Sequence, residues 1–208
     1  MDTPQIVPLF STPLYKSTVN YNQDIDLEKI DYERYTSNNG FGSKNKEILL
    51  TRKFQSLKKQ IDKHVEIYLF KCLELSQGRI RHIRSWINLH QRGDYAQTHI
   101  HANSFISGIL YLKVPSEEDG GGRICFMCPE SQPTFKTSTI NPDRKNHNLF
   151  NSNVWGFIPA IGDLYLFPSH THHYTDANKS TEGRYALSFN YFLEGSFGEK
   201  DAIEYLEL

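Results

Sequence analysis

The chain has 208 residues, 38% of them hydrophobic, which is enough for one domain with a substantial core. Lys and Arg number 23 against 24 Asp and Glu, so the overall charge indicates neither a nucleic-acid partner nor an anionic membrane surface. No apolar run approaches the ~20 residues of a membrane-spanning helix. The start, Met1-Asp2-Thr3-Pro4, has no secretory pattern, and three cysteines do not make a disulfide framework, so a cytoplasmic protein is expected.

Taken in chain order, residues 5–20 mix apolar residues with Pro8 and Pro13 and predict an edge strand, where a missing ladder donor is tolerated. Residues 21–43 are polar and predict a loop with a short helix over Leu27 to Tyr35. From Lys44 to Leu75, Phe54, Leu57, Ile61, Val65, Tyr68, Leu69, Cys72 and Leu75 recur every three or four residues, the pattern of a long amphipathic helix. Ser43 is its candidate N-cap, and Gly78 falls where a left-handed residue often follows a helix.

Beyond Gly78 the texture changes to short β-rich segments: Ile80 to His90, Phe105 to Val114, Arg123 to Met127, Val154 to Ile158, Leu164 to Phe167 and Arg184 to Phe192. Gly-rich turn signals such as Arg92-Gly93-Asp94 and Ile161-Gly162-Asp163 separate them. The expected fold is mainly β, a sandwich or jelly roll, with the long helix packed outside. Gly120-Gly121-Gly122 opens no helix and so is not a phosphate-cradling loop. Cys125-Phe126-Met127-Cys128 lies in an apolar strand with no second pair following, and is read as free thiols rather than a zinc or redox site. Residues 129–153 lack periodicity, and a stretch of that length is expected to be a lid or binding loop, or simply disordered.

His99 and His101 stand two apart before an apolar run, and in a strand such residues share a face. A second cluster, His170, His172 and His173, closes the strand Leu164 to Phe167. Two neighbouring histidines plus a distant one can make a facial metal site that leaves positions open for substrate and oxygen. His64, His82, His90 and His147 have no such company and read as surface or half-buried side chains. Arg184 opens the last long strand, where a buried guanidinium could grip a carboxylate, with Ala186, Ser188 and Asn190 on the same face.

The series Trp86-Ile87-Asn88, Gly93-Asp94-Tyr95, His99-x-His101, Ser107-Gly108-Ile109-Leu110-Tyr111-Leu112, Gly162-Asp163-Leu164, Phe167-Pro168-Ser169, His173 and Arg184-x-x-x-Ser188-Phe189-Asn190 resembles the 2-oxoglutarate- and iron(II)-dependent oxygenases. More narrowly, it resembles a little-characterised bacterial and phage branch of them, related in style to the prolyl hydroxylases. The likeness runs from Pro8-Leu9-Phe10-Ser11-Thr12-Pro13-Leu14-Tyr15 to Phe192. It implies a double-stranded β-helix, a cupin-like jelly roll, as a single domain over residues 1–208 with its core at about 80–192.

It also implies iron(II) at the open end, with His99 as first ligand, His173 as distal ligand and Arg184 on the far carboxylate of 2-oxoglutarate. Tyr111 and Ser188 become further co-substrate contacts, while His170 and His172 fall off the ligand position. One departure stands out: where the superfamily carries His-x-Asp or His-x-Glu, this chain has His101. Either three imidazoles hold the metal, or His101 stands aside and water completes the shell. The implied activity is hydroxylation of a small molecule or a peptide side chain, releasing succinate and carbon dioxide. The rivals are a three-histidine dioxygenase that uses no keto acid and a non-catalytic jelly-roll binding module.

Overall fold

The computed structural model describes residues 5, 7, 11–20, 25–36, 39–115, 120–128, 143 and 145–208. In chain order the strands are β1 (Tyr15–Thr18), β2 (Tyr32–Arg34), β3 (Phe41–Ser43), β4 (Arg79–His90), β5 (Ala96–His99), β6 (Ile106–Lys113) and β7 (Ile124–Met127). They continue as β8 (Val154–Phe157), β9 (Asp163–Pro168), β10 (His173–Thr175), β11 (Arg184–Glu194), β12 (Ser196–Phe197) and β13 (Leu206–Glu207). A seven-stranded sheet has the order β1-β9-β6-β11-β4-β3-β2 and a four-stranded sheet the order β5-β10-β7-β8, both antiparallel. The two sheets form the expected jelly roll, and β1 takes the edge position that the prolines predicted.

Two apolar layers hold the sheets in place. Leu57, Ile61, Val65 and Tyr68 pack on Ile87, Leu110, Leu187 and Phe189 of the larger sheet. Between the sheets lie Ile109, Tyr111, Phe126, Tyr165 and Phe167. Strands β6, β9 and β11 are therefore buried on both faces, which is why they read as continuous apolar runs rather than as alternations.

The helical segment is shorter than its pattern predicts. The helix α1 spans Gln55–Glu66 and passes into a π-helical turn at Ile67–Cys72, after 3-10 turns at Ile48–Leu50 and Arg52–Phe54. Ser43 is not its N-cap: it belongs to β3, and its hydroxyl accepts a hydrogen bond from Ile87 N at 3.0 Å and donates to Asn45 O at 2.8 Å. The backbone from Ser43 to Leu49 is committed to β4 instead, with Ser85 N donating to Lys46 O and Leu49 N to Ser85 Oγ. Gly78 has φ +109 but leads into β4, and Glu74, φ 54, is the left-handed residue nearer the helical end. The helix expected over Leu27 to Tyr35 is a 3-10 turn, Leu27–Lys29, followed by β2, which pairs with β3.

Among the described residues no helix is long and apolar enough to cross a membrane. Cys72, Cys125 and Cys128 form no disulfide among the described residues. Residues 129–142 and 144 of the expected lid, and Pro8-Leu9-Phe10 of the opening segment, lie outside the described residues.

Candidate active site

The three proposed ligands meet where the smaller sheet opens. His99 ends β5 and lies directly across from His173, the first residue of β10. His101 is no longer in the strand; it returns to the same place because its N–H donates to Ser169 O at 2.8 Å. Ring centroids are 4.3 Å apart for His99 and His173, and 5.2 Å for His101 with either partner. One ligand nitrogen from each ring lies within 4.8 Å of the others.

Each Nδ1 already faces an acceptor, so it carries a proton, and the neutral tautomer of each ring presents its lone pair at Nε2. His99 Nδ1 donates to Gln97 O (2.7 Å) and His173 Nδ1 to Thr171 O (2.9 Å). His101 Nδ1 donates to Asn190 Oδ1 at 2.7 Å, with Ser107 Oγ at 2.9 Å. Burial, with a contribution from His99, pushes the His173 pKa down to about 3, and burial also lowers that of His101. Neutral imidazoles with converging lone pairs fit a divalent metal.

A cavity of about 480 Å³ runs from this triad to Arg184. Its floor is built from β4 and β11, paired so that Arg184 faces His90, Ala186 faces Asn88, Ser188 faces Trp86 and Asn190 faces Arg84. Arg184 is 2% exposed and, among the described residues, bonds only to uncharged groups: Gly121 O (2.6 Å), His90 Nδ1 (2.7 Å), Thr175 Oγ1 (2.9 Å) and Asp176 O (3.2 Å). No carboxylate pairs with it among the described residues. Tyr111 lines the same cavity, its hydroxyl buried and without a hydrogen-bond partner among the described residues, its pKa raised by burial to about 12. An unneutralised buried cation beside an unsatisfied donor fits a bound carboxylate. Ser188 Oγ accepts from Asn88 Nδ2 at 2.8 Å and lines the cavity between them.

The sequence-predicted residues thus converge, while His170 and His172 are exposed, as their spacing implied. His90 is a correction: 5% exposed, it is neither surface nor half-buried, because its Nδ1 accepts from Arg184. Burial, and then the Arg184 charge, push its pKa down to about 3. The part played by Ser107, Ser169 and Asn190 around His101 carries no local sequence signal: Asn190 shares the Arg184 face of its strand, but its partner lies 89 residues away.

A family model described as "Putative 2OG-Fe(II) oxygenase" matches residues 84–190. No curated protein matches the chain. Among solved structures, a prolyl-4-hydroxylase from Pseudomonas putida is similar at 13% identity and a TM-score of 0.56, covering 88% of this chain and 94% of its own. A Trichoplax adhaerens prolyl hydroxylase, solved with a hypoxia inducible factor oxygen degradation domain peptide fragment, is similar at 15% identity, 82% and 74% coverage and a TM-score of 0.55. The collagen prolyl hydroxylase of Paramecium Bursaria Chlorella virus-1, solved with 2OG, gives 13%, 86% and 94%, and 0.51. At such identities these likenesses speak for the fold.

Proposed function

This chain belongs to the 2-oxoglutarate- and iron(II)-dependent oxygenase family and is an enzyme with those cofactors, and from that premise we propose a hydroxylase whose iron is held by His99, His101 and His173. The buried Arg184, with no carboxylate partner among the described residues, is the observation that carries the co-substrate half of the reading. When bound, iron(II) supplies dioxygen activation coupled to loss of carbon dioxide from 2-oxoglutarate, giving succinate and leaving one oxygen atom for a C–H bond of the second substrate.

The protein's share is positioning and exclusion. Thr175, Gly121 and His90 fix the guanidinium of Arg184, and Tyr111 adds a donor for the same carboxylate, with Ser188 beside it. The three Nδ1–H bonds set the imidazole planes before any metal arrives. A small molecule or a peptide side chain would enter from the open end beside His99 and His101. The reading takes residues 1–208 as one oxygenase unit, with α1 supporting the larger sheet from outside.

The test is spectroscopic and needs no substrate. Iron(II) and then 2-oxoglutarate are added to metal-free protein without oxygen. A visible charge-transfer band that requires both additions is expected, and Arg184→Lys should raise the 2-oxoglutarate concentration needed by about tenfold or more, since a point charge replaces a fork. Bound iron without any such band would overturn the co-substrate assignment in favour of a three-histidine dioxygenase.

A further inference from the structure

Among the described residues, the cavity that holds the triad and Arg184 is lined by no Asp or Glu, although acidic and basic residues balance across the chain. Three cations line it: Arg184, Lys46 and Arg84. Lys46 is spoken for, 2.9 Å from Glu33 Oε1 and 2.7 Å from Ser43 O. Arg84 is exposed, and its guanidinium has no hydrogen bond or ion pair among the described residues.

Its direction is set by the fold. The register of β4 on β11 shifts between Asn190, opposite Arg84, and Tyr191, opposite His82, so that Ile83 is the extra residue of a bulge. His82 accordingly stacks edge-on to Tyr191, whose hydroxyl bonds Asp62 of α1, while Arg84, also an even position, lines the cavity. The bulge thus aims a free guanidinium into the site next to Asn190, the residue that holds His101.

Charge balance says what such a group awaits. Three neutral imidazoles leave the iron's charge untouched, and the 2-oxoglutarate dianion can offset the metal but not both guanidinium groups as well. Resting on the proposed function above, we propose that the second substrate is an oxyanion, a carboxylate or phosphate compound, that pairs with Arg84 at the open end while its reacting carbon faces the metal.

The test uses 3-phenylpropionate, phenyl phosphate and the neutral 3-phenylpropionamide as probes, titrated anaerobically into the protein holding iron(II) and saturating 2-oxoglutarate. Binding is read twice, by perturbation of the charge-transfer band and by Trp86 fluorescence in a Trp155→Phe background; the two are the chain's tryptophans. At least one oxyanion probe should bind about tenfold tighter than the amide, as a charge-assisted pair in a partly desolvated site would give. Arg84→Gln should abolish that preference and Arg84→Lys keep most of it, and whichever oxyanion binds tighter names the source. Equal binding of charged and neutral probes, or a preference that survives Arg84→Gln, overturns the proposal. Should no charge-transfer band form, the proposed function fails by itself, and the fluorescence titration with iron alone still decides the role of Arg84.

Discussion

The three imidazoles are held by unequal means. His99 and His173 each donate to the carbonyl two residues before them, a local bond within their own segment. His101 is held from a distance, by Asn190 of β11 and Ser107 of β6, and Ser107 is in turn bonded to Ser169 (2.9 Å), which meets Ser104 (3.0 Å). Partners that orient a ligand's second nitrogen are worth about 10–100-fold in metal affinity. Asn190→Ala should therefore weaken iron(II) binding by that order in a chelator competition, with the circular dichroism spectrum unchanged. Unaltered affinity would mean that His101 stands aside and water completes the shell. The His99-x-His101 spacing was legible, but for a partly different reason: strand alternation ends at His99, and a backbone bond to Ser169 finishes the convergence. The Asn190 contact was not legible, since it joins residues far apart in sequence.

At the scale of elements, β6 ties the site to the core, sending Ser107, Ile109 and Tyr111 between the sheets and Leu110 and Leu112 toward α1. Gly108 sits opposite Phe189 across the strand pair, and the aromatic ring lies over it. A Cβ there would stand 2.7 Å from Leu166 Cδ2 and closer still to the Phe189 ring. The glycine is thus required by space, not by its backbone angles, and Gly108→Ala should cost about 1–3 kcal/mol by overpacking, read as a lower urea midpoint at unchanged m. No loss of stability would show that the Phe189 layer yields freely. The long strands β6 and β11 were readable to within a residue or two because burial on both faces leaves unbroken apolar runs. Strands β2, β3 and β10 are three residues each, too short for a period of their own, and exist because a distant strand pairs with them. The helix was overdrawn at its start for the same reason: buried Ile48 and Leu49 keep the apolar beat while their backbone serves β4.

For the whole molecule, the consequence of folding around a polar cavity is a dependence on pH. His90 and Arg184 join β4 to β11, and Arg184 reaches on to Thr175 of the smaller sheet, so this pair bridges both layers. In the native state His90 must accept from Arg184 Nη2, which is why burial and the neighbouring guanidinium drive its pKa to about 3. The unfolded chain takes up that proton near pH 6.5, well before the native one does. The stability tied to neutral His90 is hence complete above pH 6.5 and is lost as the pH falls from there toward 3. Between pH 7 and pH 5 the loss should be about 2 kcal/mol for this one histidine. In metal-free protein His173, also driven to about 3, should add a comparable amount. Asparagine at position 90 can still accept from Arg184 through its side-chain oxygen but cannot titrate. Urea unfolding of metal-free His90→Asn at the two pH values should therefore show a pH effect smaller by about 2 kcal/mol than wild type, whatever its stability at pH 7. An undiminished pH effect would place the titrating group elsewhere and leave the His90 bond to Arg184 without a part in acid sensitivity.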